Sequence, residues 1–250
     1  MSLILKQIEA SNIAQSLATL RASLGVSPVA QISASPVAPQ ISASPVAPQA
    51  SASTHVVSSE ALDYQARFQA AISARKAYEA NKNASNDSIQ NTLTQFARGT
   101  NHASVASMLM LCNVQVECVN SSTRVDSRFN VYTLDKVSNI ARFLAQVEKL
   151  NHFTLHIFAS IVACDKASVS FNADDARACC SRDIKVTQGK PISQLQQIKS
   201  TGTVQSQHSS SLAALLACDA ISESRDSSGK RCFTRKLTKA SEALEARLSA

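Results

Sequence analysis

His152 and His156 stand four residues apart, so on a helix their imidazoles share one face a single turn apart, a spacing that can hold a metal ion. The intervening Phe-Thr-Leu supplies no glutamate for a zinc protease, and no third ligand is obvious. The pair therefore reads as packed histidines and not as a metal site. Cys179 and Cys180 are adjacent, without the two-residue gap of a redox or zinc-binding pair, and read as small core residues. Asp174 and Asp175, consecutive at an expected helix start, point apart and complement the helix dipole instead of sharing acid–base work. The chain has only five glycines, with neither a G-x-G-x-x-G nor a G-x-x-x-x-G-K pattern, and it carries no nucleophile elbow. The expectation is a protein that is not an enzyme and has neither cofactor nor metal.

What remains is binding, and charge gives its direction. The formal net charge is +7, and from Arg182 to the end eleven Lys or Arg stand against six acids. A basic module of this kind attracts polyanions, nucleic acid being the usual candidate and anionic membrane the less usual one, while a solubilising surface is the plain alternative. The seven cysteines are odd in number and no signal peptide accompanies them, which suits reduced thiols in a bacterial or host-cell cytoplasm. Nowhere do eighteen apolar residues run together, so no membrane partner is expected.

The basic region also has a pattern. After Pro191, Ser193 can cap a short helix with Leu195 and Ile198 facing inward, and Thr201-Gly202 supplies a turn. Thr203 can cap a second helix in which Val204, His208, Leu212 and Leu215 share one face. Its other side carries Gln205, Ser206, Gln207, Ser209 and Ser210, short polar groups able to bond base edges or phosphates. A strand over 218–222, a tip over 224–230, a returning strand over 231–234 and a closing helix with Leu237, Ala240, Leu244 and Leu248 complete the order.

Residues 185–250, about a quarter of the chain, resemble the winged helix-turn-helix of transcriptional regulators in this succession of helix, glycine turn, Ser/Gln helix, basic loop and closing helix. The resemblance implies that the exposed positions of the second helix enter the major groove of duplex DNA, with Arg225, Lys230 and Arg231 meeting phosphate or minor groove. Arg235 and Lys236 add salt-sensitive affinity, and Thr203, Gln205, Ser206, Gln207, Ser209 and Ser210 supply selectivity. Two departures from the pattern are His208 at a usually aliphatic position and a recognition face without Arg or Lys. They point to weakly specific or shape-based binding.

Upstream elements must position this module. Residues 1–25 read as an amphipathic helix with Ile13, Leu17, Leu20 and Leu24 in one stripe, which self-associates, binds a protein partner or docks back on its own chain. A nine-residue unit, Ser-Pro-Val-Ala-Pro-Gln-Ile-Ser-Ala at 35–43, recurs at 44–52 with Ala for Ile and in shortened form at 27–34, giving a disordered Pro/Ala/Ser linker over 26–57. A helical region over 58–181 follows, with helices expected near 59–78, 87–98, 102–112, 132–149, 153–163 and 172–180. Between them Val114, Val116 and Val119 suggest a short strand, and 153–163, apolar nearly all round, is the expected central buried helix.

The expected fold is thus mainly α: a helical body, a winged-helix-like domain over 182–250 with a small β wing, and the linker before them. The expected function is non-enzymatic DNA binding, regulatory or genome-associated. The competing expectation is a structural or interaction protein, for instance a component of a virus-like assembly that docks its partner through the N-terminal helix.

Overall fold

Six helix starts are written in side chains that can accept a backbone N–H. Asn86, Asn130, Asn151, Asn172, Ser200 and Thr238 each accept one from the first turn that follows, which satisfies donors a helix otherwise leaves orphaned. A computed structural model describes residues 59–82, 85–119 and 130–249. The expected helix over 1–25 and linker over 26–57 lie outside the described residues.

Among the described residues there are eight α-helices and three short strands. In chain order they are α1 (Ser59–Lys82), α2 (Asp87–Thr100), α3 (Ala103–Leu111), α4 (Val131–Leu144), α5 (His152–Lys166), β1 (Phe171–Asn172), α6 (Ala173–Cys179), α7 (Thr201–Ala217), β2 (Ile221–Arg225), β3 (Arg231–Arg235) and α8 (Lys239–Leu248). The protein is mainly helical, with a small antiparallel sheet in the order β1-β3-β2. The expected strand around Val116 is instead a single 3-10 turn, Val116–Cys118, whose flanking Val114 and Val119 are buried.

One continuous core joins the elements on both sides of residue 181. Phe68 of α1 meets Phe96 of α2 edge-on, with ring centroids 5.9 Å apart. Leu134 and Ile140 of α4, Ile157, Phe158 and Ile161 of α5, Phe171 of β1, Leu215 of α7 and Phe233 of β3 continue the same buried cluster. Each such side chain contributes roughly 2–3 kcal/mol by leaving water. As the apolar run over 153–163 predicted, α5 is largely buried.

Helix ends depart from expectation for a common reason. Asn113, Gln146, Ser168 and Asp219, one past the cap of α3, α4, α5 and α7, hold φ between 52° and 63°. The next residue then donates back into the helix, as Val147 N does to the Arg142 carbonyl at 2.9 Å and Ala220 N to that of Leu215 at 3.0 Å. This stop ends α4 at Leu144 instead of 149, so Val147, expected on the packed stripe, is 55% exposed while Leu150 is buried. Asn139 fixes the new path by accepting from Asn151 N at 2.7 Å and donating to the Lys149 carbonyl at 3.1 Å. Leu237 likewise leaves its expected stripe and is 78% exposed, because α8 begins only at Lys239 behind the Thr238 cap.

The largest correction concerns 193–200. No helix forms there. Ser193 N donates to Ser160 Oγ of α5 at 2.8 Å and Leu195 N to the Cys179 carbonyl of α6 at 3.0 Å, so the segment's donors are spent on neighbouring helices. Leu195 is buried as expected, but Ile198 is 63% exposed. Thr201-Gly202 is accordingly no turn between helices, and α7 begins there, three residues earlier than expected, behind Ser200 and not Thr203.

Candidate nucleic-acid interface

α7 is held from several sides. Val204, His208, Leu212 and Leu215 are buried as their spacing predicted, but Ser210, Ser211 and Ala214 are buried too, because α4, α5, α6 and β2 all pack on this helix. Ser211 Oγ lies 3.1 Å from Thr154 Oγ1 of α5. His208 Nδ1 bonds the Val204 carbonyl at 2.9 Å, and burial holds its imidazole below the ordinary basicity of the group.

The exposed part of α7 is its first half. Thr201, Gly202, Gln205, Ser206 and Ser209 are exposed, and Thr203 and Gln207 are half-buried. Ser210, expected on this face, is only 2% exposed and donates to the Ser206 carbonyl at 2.7 Å, so it faces the packed side. The hydroxyls of Ser206 and Ser209 likewise donate to carbonyls of their own helix, at 3.1 Å to Thr203 and 2.8 Å to Gln205, which leaves their oxygens facing outward as acceptors.

The hairpin closes on Asp226, whose Oδ1 accepts from Ser228 N at 2.8 Å, Ser228 Oγ at 2.6 Å and Lys230 N at 3.0 Å. Those bonds, the Ser228 hydroxyl first, hold its carboxyl below the usual range. Gly229 takes φ +79°, the conformation that lets the tip turn. Arg225 reaches back to the Gly229 carbonyl at 2.7 Å.

The five cations expected to meet DNA are largely occupied. Arg231 forks onto both oxygens of Glu223 at 2.7 Å, the bond that lowers the Glu223 carboxyl and raises the guanidinium, and it also lies 5.4 Å over the Phe233 ring. Lys236 pairs with Asp219. Arg235 pairs with Glu245 at 2.9 Å and is 16% exposed at its side chain. Lys230 lies 4.0 Å from Asp174. The exposed pairs of Lys230, Arg231 and Lys236 are worth only about 0–1 kcal/mol, so a phosphate can displace them, whereas the Arg235–Glu245 pair is largely buried. Of the five, only Arg225 has no carboxylate partner among the described residues.

Residues 181–200 form a long connection between α6 and α7, of which the spacing predicts a short helix only over 193–200. Its two ends run together: Arg182 N donates to the Gln197 carbonyl at 3.1 Å, and Lys199 N to Ser181 Oγ at 2.7 Å. Gln194 Nε2 spans the inside, donating to the carbonyls of Ser181 at 2.7 Å and Ile184 at 2.6 Å. Ser193 Oγ lies 2.7 Å from His156 Nδ1 of α5. His156 is thus a packing partner of this loop, and burial lowers its basicity. Burial, and then the Lys136 and Lys199 ammonium groups, do the same to His152.

Comparison with known proteins finds no match: no family model, no curated protein and no solved structure is significantly similar to this chain. The site is therefore read from its own chemistry.

That chemistry is polar and basic. Among the described residues no three His, Cys, Asp or Glu side chains are grouped to hold a metal ion. Cys179 and Cys180 are fully buried, and burial pushes both thiols up to about 12, far from a reactive thiolate. No helix among the described residues is long and apolar enough to cross a membrane. Asp175 closes the capping box of α6 by accepting from Asn172 N at 2.8 Å, as the dipole argument anticipated for this pair of acids. The sequence reading missed β1. Its signal was the short apolar step Val169 to Phe171, ahead of the Asn172 cap.

Proposed function

We propose that this protein binds duplex DNA without catalysis, through a winged-helix module that spans α5 to β3, with α7 as its recognition helix. The observation that carries the reading is the sheet order. β1 lies between α5 and α6 in sequence yet pairs with β3 of the hairpin, through Phe171 opposite Phe233 and Asn172 opposite Cys232. A winged helix is built in this way, with three helices closed by a hairpin whose third strand comes from between the first two. In this reading α6, and not 193–200, is the helix that precedes the recognition helix, and the module begins near His152 instead of Lys185.

Charge and side-chain chemistry support the same function. The open half of α7 offers Gln205, whose amide can bond base edges or phosphate oxygens, and the acceptor oxygens of Ser206 and Ser209, which can take a bond from a base amino group. With no Lys or Arg on that face, strong reading of guanine is absent, and affinity comes from the surrounding cations. A regulatory or genome-associated role follows from binding of this kind.

A second reading, a protein-interaction module, is favoured by the carboxylate pairing of Arg231, Arg235 and Lys236 and by the exposed Leu237. Anisotropy of labelled random duplex and single strand across a salt series separates the two. Duplex affinity that falls steeply with salt, and weakens on Arg231→Ala with Lys236→Ala, supports DNA binding. No binding at low salt overturns it in favour of a protein partner.

A further inference from the structure

We infer that the connection between α6 and α7 is a second DNA-contacting element, a phosphate clamp formed by Arg182, Lys185 and Lys199 beside the open end of α7. The inference rests on the DNA-binding reading above and adds to it a site outside the hairpin.

Three observations carry it. The first is charge. Residues 181–200 hold four cations, Arg182, Lys185, Lys190 and Lys199, against one carboxylate, Asp183. Lys190 is consumed by Asp175 at 2.6 Å, but none of Arg182, Lys185 and Lys199 forms an ion pair among the described residues, the Lys199 ammonium donating only to the neutral Gln197 Oε1. The hairpin presents the opposite case, since Glu223, Asp219 and Glu245 hold three of its cations. The Asp183 carboxylate accepts the Ser181 hydroxyl within the loop.

The second is position. The bonds from Arg182 N to the Gln197 carbonyl and from Lys199 N to Ser181 Oγ bring both ends of the loop to one neck. That neck adjoins Ser200, the cap of α7, so Arg182 and Lys199 flank the turn that carries Thr201, Gly202 and Thr203. A Cβ built on Gly202 would meet nothing within 4 Å, which leaves room for a phosphate to approach the backbone there. Arg182 and Lys185 are exposed and Lys199 is half-buried.

The third is rigidity. A loop of this length is ordinarily costly to order on binding. This one is already fastened, by Ser193 to Ser160 and His156, by Leu195 to Cys179, by Gln194 across its interior and by Lys190 to Asp175. Its cations are presented from a fixed base. Their ligand is the phosphate backbone and not a base, because the contact is charge without a defined hydrogen-bonding pattern.

The test is duplex affinity of the full chain against salt, for wild type, Arg182→Ala/Lys185→Ala/Lys199→Ala, the charge-keeping Arg182→Lys/Lys185→Arg/Lys199→Arg, and Lys185→Glu alone. The expected result is a slope of log affinity against log salt shallower by about two to three in the alanine variant, since each neutralised phosphate contributes about 0.9. The charge-keeping variant should hold the wild-type slope, and thermal melts should superimpose. Lys185→Glu keeps the question open to measurement if the triple variant fails to fold, and it should be shallower by about one or more. Wild-type binding with an unchanged slope in the alanine variant and in Lys185→Glu overturns the clamp and leaves the DNA reading standing. Absence of duplex binding by the wild type overturns both.

Discussion

The Lys190 ammonium lies 2.6 Å from the Asp175 carboxylate, and the two side chains are 14% and 2% exposed. This pair ties the long connection to the start of α6, whose capping box Asp175 also closes. Removing the cation leaves a carboxylate in a site with little water. Lys190→Met is therefore expected to cost about 3 kcal/mol in urea unfolding, whereas the exposed Lys185→Met should change stability by less than about 0.5 kcal/mol. Equal effects of the two would contradict a structural role for the pair.

Lys136 gives a pH-dependent prediction. It is 4% exposed, its ammonium lies 5.4 Å over the Phe153 ring, and burial lowers its pKa from an ordinary 10.5 to about 8. Between those values the unfolded chain holds a proton that the folded protein does not, so this group's contribution to stability rises as pH rises through that window. Buried Cys179 and Cys180, raised from 9.0 to about 12, act in the opposite direction above pH 9, because their unfolded thiols ionise first. The wild-type curve mixes both effects, and its difference from Lys136→Met reports the lysine below pH 9, before the Cys180 thiol that Lys136 also influences ionises in the unfolded chain. Lys136→Met should be the more stable protein at pH 7, by up to about 3 kcal/mol, with the gap closing towards pH 10.5. A gap independent of pH would sink the assignment.

The face of α7 separates binding from stability. Gln205→Ala with Ser209→Ala removes two exposed polar groups and should weaken duplex binding while moving the urea midpoint by less than about 0.5 kcal/mol equivalent. Ser210→Ala, on the packed side, should leave DNA affinity unchanged. Loss of binding in Ser210→Ala alone would mean that the exposed face has been misplaced.

The left-handed stops are a further test. Gln146 is exposed at φ 63°, a conformation that costs an L-residue roughly 1 kcal/mol and glycine nothing. Gln146→Gly should leave stability level or raise it by up to about 0.5 kcal/mol, since glycine's extra chain entropy offsets most of the strain relieved. Destabilisation measured by chemical unfolding would contradict the cap.

These stops also explain what could be read from the sequence. Helix starts were visible at Asn151 and Asn172, whose side chains act as caps, but Ser193 precedes no helix and Thr203 lies inside α7, while buried stripes such as Val204, His208, Leu212 and Leu215 follow from spacing alone. Helix ends were hidden because Asn113, Gln146, Ser168 and Asp219 occupy positions where glycine usually signals a stop. The stretch over 193–200 failed for another reason. Its local pattern suits a helix, but the donors of Ser193 and Leu195 are claimed by residues 33 and 16 positions earlier, a competition no local window contains. The polar face of α7 and the tail's charge were legible. The carboxylates that neutralise the hairpin, and the absence of one beside Arg182, Lys185 and Lys199 among the described residues, emerge only once the chain is folded.

In the proposed DNA complex the open half of α7 faces the duplex. This placement is tested most directly by an NMR titration of the isotopically labelled full chain with a random duplex. Amide shifts should concentrate at 201–209, at the neck formed by 182 and 199, and at the hairpin tip over 225–230, and should revert with added salt. Shifts confined to α1 to α3, or a spectrum unmoved by duplex at low salt, would contradict it.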